Sequence, residues 1–373
     1  MVDLKLLWIT HRKFDDFCAT TPIAFANGLI ELGFNLTIIN PEPVGSHSNV
    51  AWEHIGLEVH AVRGFQGRAF SKNVQAHFET MALDFDAYMM DWQVGVSVGK
   101  VLAQQNRPCF LMDRSPPADS GILAKLQWKG WKDAWRLVKK GLFTSGFVVS
   151  KAHLRFVSRT LNVSGTDILV LEAGVAAIDD TTPLSRKGGE EWKFVYHGRL
   201  DKHRGIIDFM DHIVAWNKVG IPCQLTLVGE GTAVSVIEKK QKKNPELFTL
   251  KGRMSQQNVL EHLKEHHIGI LPMPATKVWK LASPLKRGEY LANGLLVVGV
   301  DHEGHRFDTE VGSWMQLHGA PILRTKISSF LNSITNEEFS EYSQSAIEYA
   351  HEHLSWSKSV ELLANSIRGE VNG

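Results

Sequence analysis

The sequence predicts an α/β protein built from two doubly wound, parallel-sheet (Rossmann-like) domains, and three observations support that prediction. Short apolar runs alternate with amphipathic helical segments along most of the 373 residues. The alternation is interrupted by the charged segment "DDTTPLSRKGGEE" at 179–191, whose proline and paired glycines indicate a linker, and then restarts. The length also suffices for two domains of ordinary size, each with its own core.

The first domain is predicted over residues 1–180. Its opening "LKLLWIT" is typical of a buried strand, and "PIAFANGLIELG" of a helix with Pro22 in its first turn and Gly33 at its end. The strand "FNLTIIN" follows, which completes a βαβ unit and implies a parallel sheet with helices on both faces. Further strands are predicted at 87–92, 108–113, 146–150 and 167–175.

The second domain is predicted over residues 190–354. Strands "WKFVYHGRL", "QLTLVGEG", "FTLKGRM" and "HIGILPMP" alternate with helices, and a helix from residue 284 leads into a strand that ends at 300. The tail from 336 is helical in pattern, and its last part, 355–373, is expected to pack back on the first domain. Because ligands of doubly wound folds bind at the carboxyl ends of the strands, the site is expected in a cleft that the two domains face.

Composition narrows the class of protein. The chain has 41 basic and 40 acidic residues, which argues against a nucleic-acid partner. Its three cysteines, Cys18, Cys109 and Cys223, are odd in number and widely spaced, as expected in a reducing compartment. The N-terminus does not read as a signal peptide, and the sequence has no run of 18 apolar residues. These features predict a cytoplasmic protein.

The segment 122–143 combines tryptophan with lysine. Between 123 and 143 six basic residues and one acid give a net charge of +5, and they lie opposite an apolar face made of Leu123, Leu126, Trp131, Ala134, Trp135, Leu137, Val138 and Leu142. This composition is typical of a peripheral membrane segment that lies at a lipid surface. A helix that packs its apolar face on the sheet and exposes its basic face is the alternative. Gly130 is expected to weaken or break the helix.

The strand ends of the second domain carry residues suited to a diphosphate. Glycines there let the backbone approach a ligand, and arginines supply bidentate donors. Ser283 is predicted as the N-cap of a helix with Pro284 at its first position, a helix start that binds anions with help from Lys286. Glu289 follows close enough to accept hydrogen bonds from sugar hydroxyls. Each feature alone is typical of an ordinary turn or cap, but their order predicts a nucleotide diphosphate site.

These motifs resemble the donor domain of GT-B glycosyltransferases, specifically the retaining family 4 type, over about residues 192–312. The fold implied is the GT-B type. The resemblance implies a donor site made of Gly198, Arg199, Arg204, Gly229, Gly231, Gly252, Arg253, Met254, Ser283, Pro284, Leu285, Lys286 and Glu289. The loop 252–254 would meet the nucleobase and Glu289 the ribose. The chain departs from the family at Leu281, where a second glutamate commonly contacts the donor sugar.

The activity implied is that of a glycosyltransferase of hexosyltransferase type, which moves a sugar from a UDP- or GDP-sugar to a glycan or lipid-linked acceptor. Retention of configuration is implied, with no metal and no cofactor besides the donor, and with Arg199 and Arg204 stabilising the leaving phosphate. The histidines of "HEGH" (302–305) and "HEH" (351–353) are predicted to be surface residues, because they lack metal-ligand spacing. A nucleotide-sugar epimerase and a non-catalytic nucleotide-sugar binding protein are the alternatives.

The acceptor is expected in the first domain, near the loop 11–21 and the segment "MDRSPP" at 112–117. The family often places a histidine near the second of these, where this chain has Asp113 and Arg114. Asp113 is therefore the candidate catalytic residue by resemblance, and Asp91 is the second candidate. For both, a buried capping aspartate is the alternative interpretation.

Overall fold

The computed structural model describes residues 4–15, 19–62, 65–117, 121–176 and 181–373, with only the backbone of 121–123. The chain divides into two compact units. The first consists of Met1–Glu172 and Trp356–Gly373, and the second of Ala173–Ser355. The N-terminal segment of the first unit thus ends at Glu172, where the sequence suggested residue 180. Residues 181–191 of the expected linker form neither helix nor strand. Residues 177–180 lie outside the described part.

The first unit contains a parallel sheet of seven described strands in the order β3-β2-β1-β4-β5-β6-β7. These are β1 (Leu4–Ile9), β2 (Phe34–Asn40), β3 (Glu53–Gly56), β4 (Ala87–Asp91), β5 (Cys109–Asp113), β6 (Ser145–Val148) and β7 (Ile168–Val170). Its helices are α1 (Thr20–Glu31), α2 (Gln66–His77), α3 (Trp92–Ala103), α4 (Gly121–Lys139), α5 (Lys151–Leu161) and, from the end of the chain, α13 (Trp356–Asn372). Both faces of the sheet are buried, because Leu7 and Ile9 of β1 belong to one core and Leu6 and Trp8 to another.

The second unit contains a parallel sheet of six described strands in the order β10-β9-β8-β11-β12-β13. These are β8 (Trp192–His197), β9 (Cys223–Val228), β10 (Phe248–Lys251), β11 (Ile268–Leu271), β12 (Leu296–Val300) and β13 (Met315–His318). Its helices are α6 (Ile206–Lys218), α7 (Val234–Lys243), α8 (Gln256–Leu263), α9 (Lys277–Leu281), α10 (Leu285–Ala292), α11 (Ala320–Ser333) and α12 (Asn336–His353). The predicted fold class, two doubly wound parallel-sheet domains, is therefore confirmed.

Several elements were not located from the sequence: strands β3 and β13 and helices α2, α3, α5, α9 and α11. Strands β3 and β13 are each only four residues long, and helix α9 is five residues long. The C-terminal helix α13 packs in the first unit, where a Cβ on Gly28 of α1 would lie 2.7 Å from the side chain of Val360.

Helix α4 differs in one detail from the prediction. It runs without a break from Gly121 to Lys139, so Gly130 does not interrupt it. The packing of the apolar face supplies the stabilisation that the glycine lacks. Trp131, Ala134, Trp135, Leu137 and Val138 of that face are buried in the core of the first unit.

The apolar face of α4 is thus used for packing on the sheet. Gly146 of β6 makes room for it, because a Cβ there would lie 2.4 Å from the ring of Trp135. Leu126 and Leu142 remain 58% and 45% exposed, and the side chain of Leu123 lies outside the described residues. In the described part of the chain, no helix, α4 included, is both long enough and apolar enough to cross a membrane.

Candidate functional site

The carboxyl ends of β8, β9 and β10 form one continuous edge of the second sheet. The backbone N–H of Gly198 donates to Val228 O (2.9 Å), and that of Gly229 donates to Lys251 O (3.0 Å). Gly229 has a φ of +134°, and a Cβ there would lie 2.0 Å from Gly198 O. Glycine is therefore required at 229 for the two strand-end loops to pack backbone against backbone.

The loop after β8 is also tied to the turn after β9. Leu200 N donates to Glu230 O (2.7 Å), and Asp201 accepts a hydrogen bond from Thr232 N (3.1 Å). A Cβ on Gly231 would lie 2.5 Å from Leu200 O. The "GRL" and "GEG" motifs of the sequence therefore form one rigid structure.

Asp201 orients the two predicted arginines of this loop. Its Oδ2 lies 3.4 Å from Arg199 Nε and 3.7 Å from Arg204 Nε. Burial raises the pKa of Asp201, but the Thr232 amide and the two arginines outweigh it, so the net pKa is lowered. The guanidinium of Arg204 also lies 4.8 Å from the centre of the Trp279 ring. Arg199 is the more accessible of the two, with 41% of its side chain exposed against 18% for Arg204.

Lys286 brings a third cation to the same strand end. Its Nζ lies 3.8 Å from the position of a Cβ at Gly198 and 5.1 Å from the centre of the Tyr196 ring. Lys286 is the second residue of α10, and the first amides of a helix have no partner within the helix. The end of β8 therefore faces both a lysine and the positive end of a helix, an arrangement suited to an anion.

The predicted N-cap of this helix is wrong. Pro284, in an extended conformation (φ −72°, ψ 121°), is the N-cap, and the helix begins at Leu285. The Oγ of Ser283 instead accepts from Arg287 Nη2 (3.2 Å) and from Ala173 N (3.5 Å). Arg287 is buried with its guanidinium 4.1 Å from the centre of the Phe307 ring, so it draws the serine away from the cap position.

Glu289 is buried at the same edge, with 5% of its surface exposed. Its Oε1 accepts from Gln256 Nε2 (2.5 Å), and its Oε2 lies 3.1 Å from His197 Nε2. Burial raises the pKa of Glu289, but His197, Gln256 and Lys286 outweigh it and leave the net pKa lowered, so the carboxylate is ionised. His197 and Gln256 were missed in the sequence, although His197 directly precedes the "GRL" motif.

The loop after β10 contains the other predicted donor residues. Gly252 and Arg253 are exposed, and Met254 is half-buried against the core. A Cβ on Gly252 would meet nothing within 4 Å, so packing within the chain does not explain the glycine. Leu281, the family departure, is buried at the end of α9.

In the first unit Asp113 is completely buried at the end of β5. Its Oδ2 accepts from Trp131 Nε1 (2.6 Å) and Trp135 Nε1 (2.8 Å) and lies 3.2 Å from His153 Nε2. A carboxylate enclosed by two indoles and an imidazole has no surface to offer a substrate. These contacts favour the alternative of a buried structural aspartate over the catalytic role suggested by resemblance.

Asp91 lies at the end of the neighbouring strand β4 and is paired with a histidine. Its Oδ2 accepts from Thr10 Oγ1 (2.7 Å) and lies 2.6 Å from His11 Nδ1. The His11 side chain keeps 25% of its surface exposed, and burial lowers its pKa against the opposing effect of Asp91. His11 lies in the loop 11–21 that was expected near the acceptor, but no motif singles it out, because the strand pairing that brings Asp91 to it is not visible in a sequence.

The two loops expected to hold the acceptor meet in the first unit. Arg12 Nη2 donates to Ser115 Oγ (3.0 Å), and Trp92 Nε1 donates to Ser115 O (3.0 Å). Burial lowers the pKa of Arg114 to about 9. Residues 16–18 of the first loop lie outside the described part.

The histidines of the two metal-like motifs differ in burial. His302 and His305 are 3% and 1% exposed, so the prediction of surface histidines was wrong for 302–305. Their rings lie 3.8 Å apart, and their Nε2 and Nδ1 atoms lie beside the Met273 and Val300 carbonyl oxygens. The helix-free loop after β12 turns both rings inward, which sequence spacing did not indicate. In the second motif His351 is exposed as predicted, whereas His353 is half-buried.

Comparison with known proteins gives a match in structure but not in sequence. Neither a protein-family model nor a curated protein matches the sequence. Sucrose-phosphate synthase from Thermosynechococcus elongatus superposes with a TM-score of 0.74 at 13% identity, covering 98% of each chain. A glycosyltransferase from Rickettsia africae gives 0.74 at 12% identity, covering 100% of this chain and 99% of its own. Anabaena HepE in complex with UDP gives 0.71 at 11% identity, covering 98% and 100%. The fold is that of the GT-B glycosyltransferases.

Proposed function

We propose that this protein is a glycosyltransferase that transfers a hexosyl group from a nucleotide diphosphate sugar to a glycan or lipid-linked acceptor. The observation that carries the proposal is the group of three cations, Arg199, Arg204 and Lys286, at the end of β8 beside the start of α10. A diphosphate needs several donors and positive charges within one small volume, and this edge of the second unit supplies them. The fold is one in which solved glycosyltransferases occur.

The chemistry proposed is stabilisation of the leaving group. As the bond between sugar and diphosphate breaks, negative charge grows on the phosphate oxygen, and preorganised cations lower the energy of that state. Asp201 holds the two arginines in place before the ligand binds, so little free energy is needed to arrange them during the reaction. Retention of configuration and independence of a metal ion are proposed with this, from the resemblance of the motifs.

Glu289 is proposed to accept hydrogen bonds from the ribose hydroxyls. The carboxylate is ionised and fixed by Gln256 and His197, so its remaining lone pairs have a set direction. The exposed backbone at Gly252 and Arg253 is proposed to meet the nucleobase. UDP and GDP are the nucleotides proposed, and the structural relative HepE is known in complex with UDP.

The acceptor is proposed to bind to the first unit, near His11, Arg12 and Ser115. The partly exposed imidazole of His11, held by Asp91, is the group there that can take a proton from an acceptor hydroxyl. The basic face of α4 remains exposed, with Lys125, Lys129, Arg136, Lys139 and Lys140 at the surface. Contact of this face with anionic lipid at the cytoplasmic side of a membrane is proposed as the way a lipid-linked acceptor is met.

The donor site is tested by thermal shift with UDP, GDP, ADP, CMP and their common sugar conjugates. A ligand that binds the folded state raises the melting temperature by mass action, so one nucleotide diphosphate should give a selective shift. Arg199→Ala and Glu289→Gln should each weaken binding of that nucleotide tenfold or more, because each removes a charge-assisted hydrogen bond worth about 1.5–3 kcal/mol. Lys239→Ala and Glu261→Gln, exposed residues of α7 and α8, are the matched controls.

Transfer itself is tested with the donor that binds. Mass spectrometry of the product with candidate glycan and lipid acceptors reports transfer, and the coupling constant of the anomeric proton reports retention or inversion. If no nucleotide raises the melting temperature, the proposed donor site is overturned. Binding without transfer to any acceptor would favour the non-catalytic alternative, and release of free sugar and nucleotide without an acceptor would favour the epimerase.

A further inference from the structure

A cluster of metal-ligating side chains lies in the first unit, apart from the residues assigned to donor and acceptor. It consists of Glu42, His47 and His54, here called the Glu42 cluster, with Asn40 beside it. Strand β3 pairs in parallel with β2 and places His54 opposite Ile38, so the chain that leaves β2 returns next to itself. The close packing of β3 depends on Gly56, where a Cβ would lie 2.4 Å from Glu42 O.

The donor atoms of the Glu42 cluster already lie near one another. One carboxylate oxygen and one nitrogen from each ring all fall within 4.8 Å of each other. Glu42 Oε2 lies 2.7 Å from His47 Nε2, and the two imidazole rings meet edge to face with centres 4.8 Å apart. Tetrahedral zinc with bonds of about 2.0–2.2 Å holds its ligand atoms about 3.3 Å apart. Side-chain rotations that move the ligand atoms by about 1 Å would therefore convert this cluster into a metal site.

The environment suits a metal ion of intermediate softness. Glu42 is 3% exposed, and the rings of Phe14 and Trp52 pack against His47, which keeps water away from one side. His54 Nδ1 is buried without a hydrogen-bond partner in the described part of the chain, while His54 Nε2 lies 2.8 Å from Asn40 Oδ1. The His47 side chain is 19% exposed and leaves a path for an ion from solvent.

We propose that Glu42, His47 and His54 form a binding site for Zn²⁺ or a similar divalent transition metal. Two imidazoles and one carboxylate are a common ligand set for zinc with an open fourth position. Asn40 Oδ1 or a water molecule would complete the coordination. The competing explanation is a purely hydrogen-bonded cluster, in which the histidines only neutralise a buried carboxylate.

The site would act on the loop that carries His11. Glu42 Oε1 accepts hydrogen bonds from the backbone N–H groups of Phe14 (2.9 Å) and Asp15 (3.2 Å), which follow His11 after β1. A metal on the other carboxylate oxygen fixes Glu42, and through these two bonds it fixes the loop. The proposed role is therefore structural, and it stands whether or not the chain transfers sugars.

The experiment uses the full chain, freed of metal with a chelator and then dialysed against Zn²⁺, Co²⁺, Mg²⁺ or Ca²⁺. One Zn²⁺ per chain is expected, with a rise in melting temperature and no comparable effect of Mg²⁺ or Ca²⁺, which prefer oxygen ligands. Co²⁺ should give the visible absorption of a low-symmetry site with nitrogen ligands. His47→Gln and His54→Gln should each weaken Zn²⁺ binding at least tenfold. His60→Gln is the matched control, because the His60 side chain is 85% exposed.

Unfolding of the metal-free variants in urea separates loss of a ligand from loss of the fold. The proposal is overturned if the wild type retains no zinc after dialysis, which leaves the hydrogen-bonded cluster as the explanation. It is equally overturned if zinc binds at several weak sites and His54→Gln, still folded, binds as the wild type does. The Co²⁺ spectrum of the wild type tests coordination without depending on any variant.

Discussion

Replacing Asp113 by alanine distinguishes its structural role from the catalytic role suggested by resemblance. The substitution leaves two buried indole N–H groups, of Trp131 and Trp135, without their acceptor. Hydrogen bonds to a charged group contribute about 1.5–3 kcal/mol each, so the expected loss is about 3–6 kcal/mol of unfolding free energy. That is a large share of the roughly 5–15 kcal/mol that stabilises a typical domain.

The prediction is checked by urea unfolding followed by tryptophan fluorescence and by differential scanning calorimetry. The transition of the first unit should move to lower urea concentration, with a melting temperature lower by on the order of 10 °C. Trp131→Phe removes one of the two donors and should cost about half as much. Asp133→Ala, on the same helix, is the control, because its partly exposed carboxylate pairs only with the exposed Arg136 among the ion pairs of the described residues and contributes under about 0.5 kcal/mol.

If Asp113→Ala unfolds within about 0.5 kcal/mol of the wild type, the two indole bonds contribute nothing and the structural role is wrong. If the same stable variant also loses sugar transfer, the catalytic role stands instead. A variant that is destabilised but retains transfer when folded confirms the structural role.

Two further predictions concern the second unit. Gly229→Ala should destabilise it by more than about 2 kcal/mol, since a Cβ would meet Gly198 O at 2.0 Å with φ at +134°, whereas Gly252→Ala should leave chemical unfolding unchanged; equal effects would contradict this. Burial lowers the pKa of His266 and of His267 to about 4, below the value of about 6.5 in the unfolded chain. Their contribution to folding stability is therefore complete above about pH 6.5 and is lost as the pH falls from about 6.5 towards 4. The unfolding free energy should fall by about 2 kcal/mol per histidine between pH 7 and pH 5 in urea titrations, and a double glutamine variant that keeps the wild-type slope would disprove it.

Much of the fold and part of the candidate site could be predicted because they depend on local patterns. Strand and helix periods recur with each element, and the glycines at 198, 229 and 231 follow strands at fixed positions in the sequence. The carboxyl ends of parallel strands share one edge of a sheet, so residues that follow neighbouring strands must lie together. This is why the sequence places Arg199 and Lys286 at one edge of the sheet.

Local pattern was insufficient where a residue's role depends on a distant partner. Ser283 has the features of an N-cap, but the buried Arg287 of the next turn donates a hydrogen bond to its hydroxyl oxygen. His197 and Gln256 have no motif of their own, and only the folded chain brings β8 and α8 each next to Glu289 of α10.

The sequence by itself therefore determined the α/β architecture and the strand ends that carry the candidate site, because periodicity and glycine placement are properties of consecutive residues. The tertiary structure alone decided which polar groups are buried and with what. Asp113 is enclosed because helix α4 brings indoles from 18 and 22 residues further along the chain. The Glu42 cluster exists because β3 returns beside β2. Both depend on packing between segments, and the cost of burying an unpaired polar group makes such pairings specific to the folded chain.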